Sequence, residues 1–558
     1  MRVVVVGGVA AGMSAATRLR RLDEAAEIVV LEAGEHVSFA NCGLPYHVGG
    51  VIEDRDALLR DADGLARRFR LDIRRRSSVT AVDPAARTVL VRSDDGEAEL
   101  GYDALVLATG STVSALPSDG SLPALPLWTV RDMDAVLAAI ERGARSAVVV
   151  GGGYLGLEAV ENLVARGLAV TLVVRGGQVL GRTLDAEMAA PVHARLEERG
   201  VTLRFDAEAV GVADGAVRLA DGGRVAADLV VDATGVAPDT ALARAAGLRI
   251  GPAGGIAVDA HQRTSDPAVW AAGDAVEKRD AVDGGERIVA LAGLANRHGR
   301  AVADSIAGTP AEAAPALGTA FVQVLGLAVG TLGWTERRLA AARRPVRVLH
   351  THPLSHAAYY PGAATLTMKL LVDAETDLLL GAQVLGEDGV DKRVDVLATA
   401  AAGGIPASAL SRLELAYAPQ VGAAKDPVNL LGYVAENLAA GTARAVQWHE
   451  LPALQEGGWT VVDVRSAEEF AVGAIPGAVN VPLDELRERH GELPRQRVVL
   501  HCQAGQRGFT AARLLAGLGH DVVNLDGGYR TWRDGEGTRA REAGTGRGAA
   551  SAGSRPGA

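Results

Sequence analysis

The sequence predicts an α/β protein in which one kind of βαβ unit occurs twice. A run of valines at 3–6 leads into a glycine-rich turn, and a second apolar strand at 148–150 leads into another. Each unit is followed by an apolar strand that ends in Ala-Thr-Gly, at 108–110 and at 233–235. Two such turns in a strand–turn–helix context are much stronger support for dinucleotide folds than one motif alone. We therefore predict two interleaved Rossmann-like domains.

Length and composition limit the remaining possibilities. At 558 residues, a prior of about 150 residues per domain predicts three or four domains. The net charge of −11, without a long basic run, argues against a nucleic-acid partner. Only two cysteines occur, so a disulfide framework is not available and a reducing cytoplasm is expected.

The N-terminal valines imitate a signal peptide. They end in Gly7-Gly8 and are soon followed by arginines, which is typical of a buried strand entering a phosphate loop. No uncharged apolar run reaches the ~18 residues that a membrane span needs. We therefore expect no membrane association.

The two glycine-rich turns supply the first candidate binding residues. Backbone N–H groups and a helix N-terminus must approach a pyrophosphate closely there, so side chains are excluded. Glu32 ends the second strand of the first unit, where an acid would hold a ribose hydroxyl. A later strand runs into Trp-Ala-Ala-Gly-Asp at 270–274. The candidate positions are Gly7, Gly8, Ala11, Gly12, Glu32, Thr109, Gly110, Gly151, Gly153, Gly156, Gly235, Gly273 and Asp274.

A compact α/β unit near the C-terminus holds the second cysteine. A predicted strand delivers Cys502 to a short loop that closes on Arg507 at the start of a helix. Loop N–H groups and the helix dipole would stabilise an anion on the sulfur. His-Cys also opens the tyrosine phosphatase loop, but that loop has five residues between Cys and Arg, and this one has four. The tighter ring suits a persulfide sulfur better than a phosphate, with a phosphatase or an inert fold as alternatives.

Together these motifs resemble those of the flavin-dependent pyridine nucleotide–disulfide oxidoreductases. Over residues 1–535 the chain is similar to coenzyme A-disulfide reductases fused to a C-terminal rhodanese domain. The resemblance implies FAD at the first turn, with Asp274 on the ribityl side of the flavin, and NADPH or NADH at the second. Tyr154 and Glu158 would lie near the nicotinamide.

The resemblance also implies a domain order and a homodimer. The expected domains are FAD-binding at 1–115 plus 240–315, NAD(P)-binding at 116–239, an α+β dimerisation domain at 316–442 and a rhodanese α/β domain at 447–535. Residues 537–558 are rich in Gly, Ala, Ser and Arg, which is typical of a disordered tail.

Nucleotide choice depends on one position. The second strand of the second unit ends in Val173-Val174-Arg175, where NAD-preferring sites place an acid. No carboxylate is present to hold a 2′-hydroxyl, and Arg175 could meet a 2′-phosphate. NADPH is therefore favoured or at least tolerated. The alternative is that Arg175 is a solvated surface arginine.

Cys42 is the candidate redox centre. A lone cysteine is more often a small buried hydrophobe than a nucleophile, but the resembling enzymes place their thiol here, beside the flavin. We expect the flavin and nearby cationic groups to lower its pKa, because thiolate is the attacking species. Dithiol members carry a second cysteine five residues on, where this chain has His47. Cys42 must therefore form a mixed disulfide with a small molecule or be oxidised alone.

A basic helix face next to this motif suits a phosphorylated substrate. Ser14, Arg18 and Arg21 are spaced i, i+4 and i+7, so they share one face of the first helix. Two arginines there are suited to phosphates, although such a pair can also be a solvated face. The resemblance adds further coenzyme A contacts, at Ser38, Asn41, Arg70, His298 and Lys425.

The dimerisation region contributes tyrosines. The resemblance places Tyr417 by the flavin of the partner subunit. One of Tyr359 and Tyr360 would donate a proton or hydrogen bond to a leaving thiolate, and the spacing to Tyr417 slightly favours Tyr359. The alternative is an aromatic cluster that fills a dimer interface.

These observations lead to one functional hypothesis and two alternatives. The chain would be an FAD-dependent NAD(P)H reductase of coenzyme A disulfide, coenzyme A persulfide or polysulfide through Cys42, with Cys502 handling sulfane sulfur. The first alternative is an NAD(P)H oxidase or peroxidase with a Cys42 sulfenate, although Ala10 stands where those enzymes usually carry a histidine. The second is a non-enzymatic flavin redox sensor or sulfur carrier. No metal is expected.

Overall fold

The computed structural model describes residues 1–309 and 311–550, the last nine of them by backbone alone. The chain divides into two compact units, one of residues 1–173 with 208–318 and the other of residues 174–207 with those from 319 on. No described helix combines the length and the apolar character that a membrane crossing requires.

The strands follow one another along the whole described chain. In order they are β1 (Arg2–Val6), β2 (Glu27–Leu31), β3 (Asp72–Arg74), β4 (Ser78–Asp83), β5 (Thr88–Ser93), β6 (Gly96–Gly101), β7 (Ala104–Leu107), β8 (Ser111–Val113), β9 (Ala124–Leu125), β10 (Ser146–Val150), β11 (Ala169–Val173), β12 (Thr202–Arg204), β13 (Ala209–Ala213), β14 (Ala216–Leu219), β15 (Arg224–Ala226), β16 (Leu229–Asp232), β17 (Val236–Pro238), β18 (Val269–Ala271), β19 (Lys278–Arg279), β20 (Glu286–Arg287), β21 (Ala320–Val324), β22 (Leu327–Gly333), β23 (Val346–Thr351), β24 (Thr367–Asp373), β25 (Leu379–Gly386), β26 (Ala445–Val446), β27 (Thr460–Asp463), β28 (Val479–Asn480), β29 (Val498–His501) and β30 (Val522–Leu525).

The α-helices alternate with these strands. In order they are α1 (Ala10–Leu22), α2 (Leu44–Gly49), α3 (Ala62–Phe69), α4 (Val130–Glu141), α5 (Tyr154–Ala165), α6 (Ala186–Glu198), α7 (Ala241–Ala245), α8 (Ala292–Ile306), α9 (Glu336–Ala341), α10 (Val390–Ala402), α11 (Pro427–Ala439), α12 (Leu451–Glu456), α13 (Ala467–Val472), α14 (Leu486–Arg489), α15 (Gln506–Gly517) and α16 (Gly528–Ala550).

The first unit contains the two predicted dinucleotide folds. One parallel sheet has the order β18-β7-β1-β2-β3, and in the other β10 lies between β11 and β16. The valines of β1 are buried because apolar clusters cover both faces of its sheet. On one face α8 crosses α1 so closely that a Cβ at Gly299 would lie 2.1 Å from the Ala11 carbonyl oxygen. Both β1 and β10 end at a glycine-rich turn, as predicted.

The second unit contains two further sheets. The antiparallel sheet β21-β22-β25-β24-β23 packs against α10 and α11 around an apolar core. The parallel sheet β26-β30-β29-β27-β28 forms the C-terminal α/β unit, with Cys502 directly after its central strand β29. The predicted classes of both domains, α+β and α/β, are confirmed.

Helix α16 extends further than the sequence predicts. It continues to Ala550, beyond the start of the tail predicted at residues 537–558, and residues 551–558 lie outside the described chain. The reason is packing against α6. The Thr538 hydroxyl donates to the Ala186 carbonyl at 3.1 Å, and Arg541 makes two 2.7 Å bonds to Glu197. These contacts order a segment whose composition alone is typical of disorder.

A buried charge network lies within the second unit. The Lys369 ammonium group is completely buried and contacts Asp185 at 3.0 Å and Glu336 at 2.6 Å, as well as Glu187. These three carboxylates are close enough to hold a cation, and the lysine supplies that positive charge. The network stabilises this unit only while every charge is paired.

His350 extends the network to the C-terminal domain. Its Nδ1 lies 2.7 Å from Asp526 and its Nε2 lies 3.1 Å from Glu187. Burial opposes the charged imidazolium, but the hydrogen bonds to the two carboxylates outweigh it and raise the pKa of His350 to about 9. An unfolded histidine titrates near ~6.5, so the stabilisation is complete below that pH and is lost as the pH rises through 9.

We expect His350→Gln to lower the melting temperature most at pH 6.5 and progressively less toward pH 9.5. Calorimetry of the flavin-loaded protein across this range measures the difference from the unaltered protein. His193→Gln is the matched control, because burial lowers the pKa of His193 to about 4 and its charge does not change in this window. A His350→Gln deficit that stays constant with pH would contradict the assignment.

Candidate functional site

The first glycine-rich turn lies at the C-terminal end of β1. Gly7 has φ +100°, and a Cβ at Gly12 would lie 1.8 Å from the Gly7 carbonyl oxygen. Side chains are therefore excluded where the turn enters α1. Glu32 accepts hydrogen bonds from the N–H groups of Gly8 and Gly34, each at 2.7 Å. Its carboxylate stands at the edge of the turn, as expected of a ribose ligand.

Asp274 lies in a single turn of 3₁₀ helix, Gly273–Ala275, after β18. Its Oδ1 is buried without a hydrogen-bond partner among the described residues. Burial raises its pKa, and the nearby Lys278 opposes that shift. Lys278 donates to the carbonyls of Gly273 and Val276 and so braces this turn. A buried acceptor without a partner fits a site completed by a hydroxyl-rich ligand such as the ribityl chain of FAD.

Three other predicted residues lie in the same unit. Thr109 Oγ1 donates to the Asp239 carbonyl at 2.7 Å, and Gly110 has φ +72°. Ala11 is buried at the start of α1. The structure thus brings the predicted FAD residues together in the first unit.

The second glycine-rich turn repeats the same geometry. A Cβ at Gly151 would lie 2.1 Å from the Ala233 carbonyl oxygen, and one at Gly156 would lie 1.9 Å from the Gly151 carbonyl oxygen. Gly153 has open space around it, and α5 begins at the next residue, Tyr154. Gly235 has φ +135° after β16. These backbone positions suit the pyrophosphate of a second dinucleotide.

Arg175 is exposed directly after the strand-ending Val174. It belongs to the second compact unit.

Cys42 lies in a 3₁₀ turn, Asn41–Gly43, just before α2. The residue is exposed, yet the protein atoms around the sulfur desolvate it. This desolvation, with the negative charges of Glu158 and Asp274, raises the pKa of the thiol. Cationic groups, which were expected to lower this pKa, are not among the groups that shift it in the protein alone; the contribution of the flavin stays a prediction.

Tyr46 is a residue near the thiol that sequence reasoning missed. It lies in the first turn of α2, four residues after Cys42. Burial and the charge of Glu158 raise the pKa of Tyr46 to about 12. The available signal was the position of Tyr46, one helical turn after Cys42 on the same segment.

The predicted coenzyme A residues of α1 face α8. Ser14 Oγ donates to Asn296 at 2.6 Å, and Arg18 is paired with Asp304 at 2.8 Å. Arg21 is exposed, with its guanidinium 6.0 Å from the ring centroid of Phe69. The helix face is therefore partly neutralised, and Arg21 remains the accessible cation on it.

The other predicted coenzyme A residues differ in exposure. Ser38 has φ +50° and donates its N–H to Gly8, and Asn41 donates to the Trp128 carbonyl at 2.5 Å. His298 is buried, and its Nδ1 has no partner among the described residues. Burial lowers the pKa of His298 to about 4. In addition, Arg70 is exposed and paired with Glu24 at 2.9 Å, and Lys425 is exposed.

The tyrosines lie in the second unit. The hydroxyl groups of Tyr359 and Tyr417 are 2.9 Å apart and share a hydrogen bond, which raises the pKa of Tyr417. Tyr360 instead packs edge-on against His356, with ring centroids 5.7 Å apart. Of the two candidates, Tyr359 is therefore the one that pairs with Tyr417, and both members of this pair are exposed.

Cys502 is buried in the loop between β29 and α15. Gly505 has φ +94° at the start of the helix. A Cβ at Gly528 would lie 2.4 Å from the Cys502 carbonyl oxygen and 2.9 Å from the Gly505 nitrogen, so a second segment supports the loop from behind. This arrangement of loop and helix N-terminus is suited to an anionic sulfur.

Arg507 closes the Cys502 loop. It makes two 2.7 Å bonds to Glu469. These bonds raise the pKa of the Arg507 guanidinium, and the Cys502 sulfur adds to that shift. The bond to Arg507 is the main reason why the pKa of Glu469 falls to about 2.

Arg465, paired with Asp463, donates to the Gln503 side chain at 3.2 Å. Sequence reasoning did not select Glu469 or Arg465 as site residues. The signal for Arg465 was its position two residues after Asp463, the last residue of the buried strand β27.

The comparisons with known families match each part of this architecture. The model of the pyridine nucleotide-disulphide oxidoreductases matches residues 1–299, and that of their dimerisation domain matches residues 319–426. The rhodanese-like domain model matches residues 447–534.

Individual relatives agree with these matches. The coenzyme A disulfide reductase of Staphylococcus haemolyticus is 31% identical over 442 residues, 78% of this chain and 100% of that protein. The NAD(P)H coenzyme A polysulfide/persulfide reductase of Pyrococcus horikoshii is 33% identical over 441 residues, 78% of this chain and 98% of that protein. The crystal structure of reduced Bacillus anthracis CoADR-RHD is 41% identical, with a TM-score of 0.94, over 96% of this chain and 98% of that one.

The two repeated dinucleotide folds, the region after them and the C-terminal cysteine loop all lie within the matched residues. The chain belongs to the pyridine nucleotide-disulphide oxidoreductase family, as an FAD- and NAD(P)H-dependent oxidoreductase with the family's dimerisation domain and a C-terminal rhodanese-like domain.

Proposed function

We propose that this protein uses NAD(P)H to reduce coenzyme A disulfide, coenzyme A persulfide or polysulfide through the single thiol of Cys42. The observation that carries this proposal is the lack of a partner thiol at the 3₁₀ turn. The position five residues on is His47, which hydrogen-bonds the Ile52 carbonyl at 2.7 Å, and the only other cysteine of the chain is Cys502. The second sulfur of the reactive disulfide must therefore come from a small molecule.

The chemistry begins with sulfur exchange. The Cys42 thiolate attacks one sulfur of R–S–S–R′, forms a Cys42–S–S–R mixed disulfide and releases R′–S⁻. The first glycine-rich turn, Glu32 and Asp274 would hold FAD, which would supply two electrons from NAD(P)H. These electrons cleave the mixed disulfide to the Cys42 thiolate and a second thiol. Overall, one NAD(P)H and one proton convert R–S–S–R′ to R–SH and R′–SH. With a persulfide, one of the two products is hydrogen sulfide.

Basic and hydroxyl side chains support coenzyme A as the carrier of that sulfur. Arg21 and Arg70 offer exposed guanidinium groups for its phosphates, and Ser14 offers a hydroxyl on the same face as Arg21.

We propose a homodimer in which the hydrogen-bonded pair Tyr359–Tyr417 lies at the active site of the partner subunit. One of these phenols donates a proton to the leaving thiolate there.

Cys502 carries sulfane sulfur as a persulfide. The helix N-terminus of α15 and the Arg507 guanidinium that Glu469 holds at the loop favour a persulfide anion there and offset the cost of burying it. Such a persulfide would deliver sulfane sulfur to the reductase. A rhodanese-like domain in the same chain therefore favours persulfide or polysulfide over the symmetrical disulfide as the substrate.

Cys42→Ser should abolish NAD(P)H oxidation with all three acceptors, by at least about a hundredfold, because the attacking sulfur is lost. Anaerobic turnover with coenzyme A disulfide, coenzyme A persulfide and polysulfide measures this loss. The flavin absorbance of the variant should be unchanged, which controls for folding. Retained turnover, or oxygen consumption that matches NAD(P)H loss without sulfide release, would defeat the proposal.

Glu469→Gln should slow sulfur transfer from thiosulfate to cyanide by roughly tenfold. Hydrogen bonds between charged groups contribute about 1.5–3 kcal/mol, and the amide cannot orient Arg507 through two charged bonds. Glu468→Gln removes the same charge one residue away, from a carboxylate that bonds Ser466 instead. Equal effects of the two substitutions would contradict the role of the Arg507–Glu469 pair.

Arg175→Ala should raise KM for NADPH about tenfold and leave KM for NADH nearly unchanged, because a charged hydrogen bond to the 2′-phosphate is lost. Steady-state kinetics with both nucleotides measures the two KM values in the variant and in the unaltered protein. If KM for both nucleotides changes equally, or for neither, Arg175 is a solvated surface residue.

A further inference from the structure

A short segment of the rhodanese-like domain lies between the Cys502 loop and strand β23. This bridging segment comprises residues 526–531 and runs from the end of β30 into the first turn of α16. Its first three residues and its last are buried. Strand β23 belongs to the matched dimerisation domain, and both domains are part of the same compact unit. The bridging segment therefore contacts two domains at once.

Two histidines of the dimerisation domain hold the ends of the bridging segment. His350 is the penultimate residue of β23 and His352 follows its end, so the two lie on the same face of the strand. The His350 imidazole lies 2.7 Å from the Asp526 carboxylate, to which the Gln447 amide also donates at 3.2 Å. His352 Nε2 shares a 2.8 Å hydrogen bond with the Thr531 hydroxyl. Each end of the segment thus has a polar anchor.

The middle of the bridging segment holds the Cys502 loop. The N–H of Tyr529 donates to the Cys502 carbonyl at 2.8 Å, and that of Arg530 donates to the Gln503 carbonyl at 3.1 Å. A trans peptide unit is planar, so a carbonyl held toward the segment turns the next N–H group the opposite way. The segment therefore sets the direction of loop N–H groups, which are the groups suited to stabilise an anionic sulfur.

Close packing joins the two sides of the segment. A Cβ at Gly527 would lie 2.0 Å from Thr531 Oγ1 and 2.8 Å from the Cβ of His350. On the loop side, a Cβ at Gly528 would lie 2.4 Å from the Cys502 carbonyl oxygen. Groups packed this tightly transmit a displacement, because no free volume absorbs it. A shift at either histidine should therefore reach the Cys502 loop.

We infer that the dimerisation domain sets the geometry of the Cys502 loop through the bridging segment. The positioning contacts are His352–Thr531 and His350–Asp526. This inference rests on the proposed role of Cys502 as a persulfide carrier and deepens it. The sulfur carrier is then matched to the reductase part of the chain, and side chains about 150 residues before Cys502 control how fast it accepts sulfur.

The test is the rate at which thiosulfate loads sulfur onto Cys502 in the full-length, flavin-loaded protein. The Cys502 thiolate attacks the outer sulfur of thiosulfate, the sulfur–sulfur bond breaks, and sulfite leaves with the electron pair. Rapid quenching and mass spectrometry of the Cys502 peptide measure the gain of one sulfur atom in a single turnover.

His352→Asn shortens the side chain so that it no longer reaches Thr531. We expect loading to become roughly three- to tenfold slower, as for the loss of a buried hydrogen bond. An unchanged rate would overturn the inference, with or without a lower amplitude from destabilised protein.

Conservative variants separate positioning from simple destabilisation. Thr531→Val removes the hydroxyl group and should slow loading as much as His352→Asn, whereas Thr531→Ser keeps the hydroxyl and should load at the rate of the unaltered protein. The double variant of His352→Asn and Thr531→Val should be little slower than either single variant, because both changes break the same contact. Equal losses in the Val and Ser variants, or additive losses in the double variant, would contradict the assignment.

A matched pair of aspartates tests the charged end of the bridging segment. Asp526→Asn removes the charge that faces His350 and should also slow loading. Asp521→Asn removes the same charge at the opposite end of β30, from a carboxylate paired with Arg444, and should leave the rate unchanged. Equal rates in these two variants would contradict the role of Asp526.

Cys502→Ser distinguishes the failure of this inference from the failure of the proposed function. Sulfur transfer from thiosulfate to cyanide that survives in Cys502→Ser would defeat the role of Cys502 itself. An unchanged loading rate in His352→Asn, with transfer abolished in Cys502→Ser, would defeat only the control by the dimerisation domain.

Discussion

The whole first unit depends on the close approach of backbone to backbone at two glycine-rich turns. An added Cβ would lie 1.8 Å from a carbonyl oxygen at Gly12 and 1.9 Å at Gly156, so neither turn tolerates a side chain. This constraint sets where α1 and α5 begin relative to β1 and β10. The first glycine-rich turn is then surrounded by the N-terminus of α1, by Glu32 and by the turn that carries Asp274.

The thiol has an unusual charge environment for a nucleophile. Reactive cysteines are commonly activated by cations or helix N-termini, but Cys42 faces Glu158 and Asp274, and its pKa is raised. Burial and these two carboxylates disfavour the thiolate, which is the attacking species.

The second cysteine lies in a different setting. Cys502 is buried in the loop just before α15, whose N-terminus is suited to an anionic sulfur. Glu469 holds the Arg507 guanidinium by two bonds and keeps it at this loop. The chain therefore holds one exposed and one buried sulfur centre.

Local sequence determined the repeated strand–turn–helix units, the turn glycines, the isolated thiol and the Cys502 loop, because each depends on neighbouring residues and steric exclusion. Tertiary structure alone decided which groups face one another across elements. Arg507 meets Glu469, and helix α16 packs against α6. Sequence spacing does not encode these long-range contacts. It also does not encode the burial of the Cys42 thiol or the charges of Glu158 and Asp274, which lie more than a hundred residues away along the chain and together with burial raise its pKa.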